Sequence, residues 1–388
     1  MQLQPGTPEE VGMSAARIRR VADWAKSWVA QGVTPALVVL VARRGVIVLH
    51  EAFGRLTSEP DAPLLLRDAI FPMASISKSI TATAAMLLVE DGLLGLNRPV
   101  AEYIPEFVGA GKEAVLVHHL LTHTSGLRDE DIAAHAEKKR GSVTIPPAAA
   151  TQHPQIHDYL FHGYDTPLWK SPGVEMAYCN GGYELLGEIV RRVSGRSLSA
   201  FAQERIFAPL GMQDTSYILP EAARQRIVKR SPDNPSAGLD DQAFHATPWA
   251  CAGLLTTALD LAIFGQMMLN RGGYGEARIL SPATVNVMTR NQIPGISSHK
   301  DGEFFPEAAW GYGWDVHGNK KAMYDGALYS PAAFQHSGGG GVNLWVDPVY
   351  DLVGVYFSVV LGNTADGHHR VSPVDLFMDA VTASVIDE

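Results

Sequence analysis

The sequence predicts an α/β (α+β) fold in which a mainly antiparallel sheet, built from both chain ends, is flanked by helices and interrupted by an inserted helical lobe. Three observations lead there. Apolar strand-turn-strand patterns stand near both termini, an amphipathic helix accompanies each, and helical periodicity dominates between them.

The first helix starts at Ser14, whose hydroxyl suits an N-cap, and brings Ile18, Val21, Ala25 and Trp28 to one side. PALVVLVA, the RRG turn and VIVLHEAFG then read as a hairpin of buried strands. Next comes FPMASISKSITATAAMLLVEDG, residues 71–92. Its helical part is uncharged apart from Lys78 until it nears its end at Gly92, and it repeats Ile76, Ile80, Ala84 and Leu87 on one face. YELLGEIVRRVSG and LDLAIFGQMMLN follow as further helices. GVNLWV, a DPVYD turn and LVGVYFSVVL form the second hairpin. The closing helix has Ser372 as cap, Pro373 in its first turn, and Val374, Phe377, Val381 and Val385 on one face. Residues 1–85 and 250–388 are expected to form a discontinuous α/β domain, and residues 86–249 a mainly helical one. Within the latter, residues 128–172 carry five prolines and four histidines without a sustained period, so a loop-rich wall or lid is expected there.

Composition excludes several functions. A chain of 388 residues, 46% hydrophobic and 19% charged, can bury a large core in two lobes. The net charge of -10, with no basic run interleaved with aromatics, disfavours nucleic acid as a partner. No uncharged apolar run approaches the roughly 20 residues needed to span a bilayer. No secretory pattern opens the chain, so a cytoplasmic location and no membrane partner are expected. Cys179 and Cys251 read as free thiols.

Three short motifs carry the chemistry. Ser75 and Lys78 lie three apart, on the same side of a helix. A lysine inside an apolar helix is either desolvated, which lowers its pKa, or held by polar partners. The same spacing recurs at Ser297 and Lys300, where proline and glycine break any helix. Tyr178, in YCN, precedes Gly181 and Gly182 and is expected on a turn facing a cleft, where a nearby ammonium would ease loss of its phenolic proton. In QHSGGGG, residues 335–341, the glycines leave backbone N–H groups uncovered beside a strand, as an oxyanion site requires.

In this order, S-x-x-K, Y-x-N 103 residues later and H-S-G near the C-terminus, the chain resembles the serine β-lactamase and penicillin-binding-protein superfamily. Within it the similarity is closest to the class C branch and the family VIII carboxylesterases. HLLTHTSGL, YCNGGYELLGEIV, FAPLGMQDTSY and GLLTTALDLAIFGQMML extend the resemblance along nearly the whole chain. It implies a site between the two lobes, with Ser75 as nucleophile, Lys78 and Tyr178 as the pair that activates it, and Asn180 as a hydrogen-bonding partner. The N–H groups of Ser75 and Gly339 would hold the oxyanion, and His336, Ser337 and Gly338 would border the substrate. Whether Lys78 or Tyr178 takes the serine proton is a coupled titration that stays open here. Trp169, Tyr164, Trp310, Tyr312 and Trp314 either wall an apolar acyl pocket or pack the core.

The activity expected is carboxylester hydrolysis on small esters with short acyl chains, without cofactor or metal. A β-lactamase, a D-alanyl carboxypeptidase or an acyltransferase shares every motif, but histidine at position 336 suits a substrate carboxylate less than lysine does. A zinc hydrolase using His119 and His123, four apart, lacks the glutamate of H-E-x-x-H. A binding protein without activity has no use for Ser75, Lys78, Tyr178 and Asn180 together.

Overall fold

The computed structural model describes residues 1–300, 303–320, 325–360 and 373–387. Seven strands share one sheet: β1 (Gln4–Pro5), β2 (Ala36–Arg43), β3 (Val46–Gly54), β4 (Asp315–Val316), β5 (Phe334–Gly338), β6 (Val342–Asp347) and β7 (Leu352–Ser358). Their spatial order is β1-β3-β2-β7-β6-β5-β4. Every neighbouring pair is antiparallel except β1 with β3. The two hairpins read from the sequence are thus joined edge to edge, where β2 pairs β7 from Arg43 opposite Leu352 to Leu37 opposite Ser358.

The helices that matter below are α1 (Ala15–Ala30), α2 (Ser77–Glu90), α3 (Val117–Leu121), α4 (Asp129–Lys139), α5 (Pro154–Gly163), α6 (Asn180–Ser194), α7 (Ala258–Leu269) and α8 (Val374–Thr382). Ser14 caps α1 by accepting the Arg17 N–H. Leu37, Val39 and Val41 of β2 pack with Ile18, Val21 and Ala25 of α1 and Phe377 and Val381 of α8, while Val38, Leu40 and Ala42 join the other core with α2 and α7. Both faces of the central strands are therefore covered, which is why VVLVA is continuously apolar rather than alternating. On β7, Gly354 lies where a Cβ would overlap the indole of the fully buried Trp345 on β6. Gly354→Ala should cost about 1–3 kcal/mol through overpacking, read as a lower midpoint in urea unfolding with an unchanged slope.

Four details differ from expectation. Strand β3 is mostly half-buried, because only the short β1 covers its outer edge. Helix α2 is buried all round from Ser77 to Leu88 rather than on one face. Its hydroxyls are accordingly satisfied inside the protein: Ser79 Oγ donates to Gly313 O at 2.8 Å, and Thr81 Oγ1 to Ala250 O at 2.7 Å. Helix α8 ends at Thr382, so Val385 lies beyond it and bridges to Met13, while the expected cap Ser372 falls outside the described residues. The stretch 128–172, expected to be loop-rich, contains α4 and α5. Among the described residues no helix is long and apolar enough to cross a membrane.

Candidate active site

Ser75 stands in a 3-10 turn, Ala74–Ile76, that runs directly into α2. Backbone N–H groups in such a first turn have no acceptor within the helix. The turn is held from several sides. Met73 N–H donates to Leu254 O, Leu254 N–H donates to Ser77 Oγ at 3.0 Å, and Ser77 Oγ donates to Ala74 O at 2.7 Å. These bonds sustain a φ of 44° at Ala74, a left-handed conformation that a residue with a Cβ rarely adopts, immediately before the serine.

One turn on, Lys78 is completely buried. Its ammonium donates to Ser75 Oγ at 3.0 Å, Asn180 Oδ1 at 2.7 Å and Cys251 O at 3.0 Å, so each of its three protons has an acceptor. It also lies 4.8 Å from the centroid of the Tyr178 ring. Burial works against its charge, but the charge and hydrogen bonding of Tyr178, with Cys251 and Asp129, outweigh it and hold the pKa above the ordinary lysine value. Of the two possibilities read from the sequence, desolvated or held by partners, the second applies.

The acceptor Asn180 is the first residue of α6. Gly181 and Gly182 therefore belong to the helix and do not separate it from YCN. Gly181 has no room for a Cβ against Ile132 of α4. Asp129, the first residue of α4, closes this end of α6: it accepts from Asn180 N at 2.9 Å, Gly181 N at 3.0 Å and Asn180 Nδ2 at 2.8 Å. A carboxylate on otherwise unpaired N–H groups at a helix start also meets the favourable end of the helix dipole.

Tyr178 is set by an aromatic cage. His123 stacks on it with centroids 4.3 Å apart, and Trp310 and His336 approach edge-on at 5.9 and 6.5 Å. His123 also brackets the chain around Tyr178, accepting from Cys179 N at Nδ1 (3.1 Å) and from Ala177 N at its carbonyl (2.9 Å). Burial, then the neighbouring Lys78 and His336, push its pKa well below the usual histidine value, so it stays neutral.

Strand β5 carries His336, Ser337 and Gly338, with the glycine turn after it. Gly338 lacks space for a Cβ against Met73 O, so only glycine lets the strand pass so close to the serine turn. His336 is buried, with Nδ1 2.8 Å from Ser337 O. Ser75 and Gly339 both line two hollows that meet between them. One, about 680 Å³, is bordered by Tyr178, Trp169, Trp310, His336 and Ser337 and by charged side chains. The other, about 630 Å³, is bordered by Ala133, Tyr159, Leu239, Trp249 and Ala252, with Asn180, Asp129 and Glu184.

Ser75, Lys78, Tyr178, Asn180, His336, Ser337, Trp310 and Gly339 thus converge on one cleft. Tyr164 does not: it is buried beside Arg192 and Glu188 and lines neither hollow. Tyr312 bonds His118 at 2.9 Å, and Trp314 packs between Phe264 and Phe334, so both belong to the core. Nor do His119 and His123 share a helix face, since α3 ends at Leu121 and His123 has a φ of 58°. The second S-x-x-K runs into a short strand, Ser298–Lys300.

Sequence reasoning missed Asp129 and Glu184. The buried Glu184 accepts the Cys251 N–H at 2.9 Å, and so anchors the residue whose carbonyl receives Lys78. Burial raises its pKa against that hydrogen bond. Glu184 lies four residues after Asn180, one turn along α6, a spacing that offers the only local signal.

A family model described as Beta-lactamase matches residues 21–372. Among curated relatives, an Escherichia coli (strain K12) protein named "Putative D-alanyl-D-alanine carboxypeptidase" is 27% identical over 393 residues, covering 92% of this chain and 85% of that protein. A solved penicillin-binding protein homolog from Caulobacter crescentus is similar with a TM-score of 0.75 at 23% identity, over 96% of this chain and 99% of that one. A family VIII carboxylesterase gives a TM-score of 0.73 at 24% identity, over 95% of this chain and 98% of that one. At such identities the two structures establish a common fold.

Proposed function

Because the chain belongs to the beta-lactamase family and is a serine hydrolase of that superfamily, we propose that it is a carboxylesterase that cleaves small esters through an acyl-enzyme on Ser75. The observation that favours esters over D-alanyl peptides or lactams is the charge pattern of the cleft. Peptide and lactam substrates of these enzymes present a carboxylate, which needs a cation. Among the described residues, the arginine and lysine on the wall are already paired, Arg128 with Glu130 and Asp131, and Lys170 with Glu175, which also lies 3.3 Å from His299. His336 is buried. A neutral ester needs no free cation.

Lys78 has an acceptor for every proton, so it serves as a lasting ammonium and Tyr178 acts as the base that takes the Ser75 proton. Ser75 Oγ then bonds the ester carbonyl carbon, and its N–H and that of Gly339 receive the oxyanion. Collapse breaks the bond to the alcohol oxygen, which leaves with the proton from Tyr178. Water gives its proton to Tyr178 as it attacks the acyl group, and the proton returns to Ser75 when the acid departs. Tyr178 borders only the first hollow, so the departing alcohol belongs there and the acyl chain in the second.

A panel of p-nitrophenyl esters from acetate to octanoate, run beside nitrocefin and a D-alanyl-D-alanine peptide, tests this reading. Short-chain esters should give the highest kcat/KM. Faster turnover of the lactam or the peptide would refute the ester assignment while leaving the serine mechanism in place.

A further inference from the structure

We propose that Asp129 is a positioning residue for this reaction: it decides which end of the Asn180 amide meets Lys78. The inference rests on the reading of Ser75, Lys78 and Tyr178 as the catalytic group. An amide has two unlike ends, one accepting and one donating, while an ammonium only donates. Asn180 helps hold Lys78 only with its oxygen turned toward Nζ, at 2.7 Å. The flipped amide would aim N–H groups at the cation.

Asp129 prevents the flip. Its carboxylate can only accept, and Oδ2 takes Asn180 Nδ2 at 2.8 Å, which forces Oδ1 to the other side. The carboxylate is itself immobilised, since Oδ2 also takes Asn180 N at 2.9 Å, and Oδ1 takes Gly181 N at 3.0 Å and the Cys179 thiol at 3.3 Å. Both oxygens thus face donors, and an asparagine at 129 would turn its NH₂ against one set of them in either orientation. Asp129 touches neither Ser75 nor Lys78 by hydrogen bond; it acts through Asn180, and its charge adds to the support of the Lys78 ammonium.

Asp129→Asn tests this with little change of volume. Activity toward p-nitrophenyl acetate should fall in kcat by about 10- to 100-fold, the usual loss when the outer partner of a first-contact side chain is removed, with KM nearly unchanged. The alkaline limb of the pH–rate profile should also move to lower pH, because an ammonium that loses an acceptor and a neighbouring negative charge deprotonates more easily. The other groups acting on Lys78, namely Tyr178, Cys251, Glu184 and His123, are unchanged in this variant. A wild-type kcat, or a reduced kcat with the alkaline limb unmoved, would overturn the proposal.

Should D129N not fold, the exchange D129N/N180D keeps one amide and one carboxylate in contact, with the carboxylate now facing Lys78. Fluorophosphonate labelling of Ser75 faster than in Asn180→Ala supports the proposal, and labelling no faster overturns it. Failure of the catalytic reading itself is distinct, since wild-type protein would then not be labelled at Ser75.

Discussion

Replacing Ser75 with alanine should abolish ester turnover, lowering kcat by about 10⁴- to 10⁶-fold, while the protein melts within a few degrees of wild type. The two effects separate because the hydroxyl makes little of the fold. Its oxygen accepts from Lys78, but that ammonium keeps Asn180 Oδ1 and Cys251 O. The turn around it is held by Met73, Ser77 and Leu254, none of which bonds the Ser75 side chain. The matching readout is covalent labelling by a fluorophosphonate, which should map to the peptide containing Ser75 and vanish in the variant. Labelling at another serine, or substantial activity in S75A, contradicts the assignment.

Lys78→Met should have the second largest effect, and unlike S75A it should touch both activity and stability. The long apolar side chain fills most of the space of lysine but leaves Ser75 Oγ, Asn180 Oδ1 and Cys251 O without their donor. An unsatisfied buried polar group costs about 1–3 kcal/mol, so urea unfolding should show a clear loss. Without the cation beside Ser75 and Tyr178, proton transfer from the serine loses its electrostatic support, and kcat should fall by about 10³-fold. In the wild type, the raised pKa of Lys78 fixes the sign of the pH dependence. A group whose pKa rises on folding contributes its full stability below its unfolded value, near 10.5, and loses it as pH climbs through the folded value. Stability and turnover linked to Lys78 should therefore decline only on the alkaline side. A K78M enzyme within tenfold of wild-type kcat would remove Lys78 from the mechanism.

How far these features could be read in advance depended on their range along the chain. The two hairpins, the cap at Ser14 and the helix after Ser75 rest on contacts between close neighbours, whose periodicity is written in the residues themselves. Ser75, Lys78, Tyr178 and Gly339 were legible because their motifs are short and ordered. Asp129 was not. It is the first of three consecutive residues, DED, that look like an ordinary acidic helix start, and only the packing of α4 across the end of α6 turns one of them toward Asn180. Tyr164 erred the other way: an aromatic in a polar, proline-rich stretch looked like a cleft wall, but as the residue that ends α5 it is buried beside Arg192.

From the amino-acid order alone came the joining of both chain ends in one sheet, the buried lysine and the residue types able to activate a serine. Tertiary structure decided how that lysine is held: by Ser75 one turn away and by acceptors from two distant segments, Asn180 and Cys251. It also decided that Arg128 and Lys170 of the cleft wall are paired with carboxylates. The physical reason is common to both. Periodicity and capping depend on neighbours a few residues apart, whereas the charge state of a buried group depends on every dipole and charge within a few ångströms, wherever in the chain it originates.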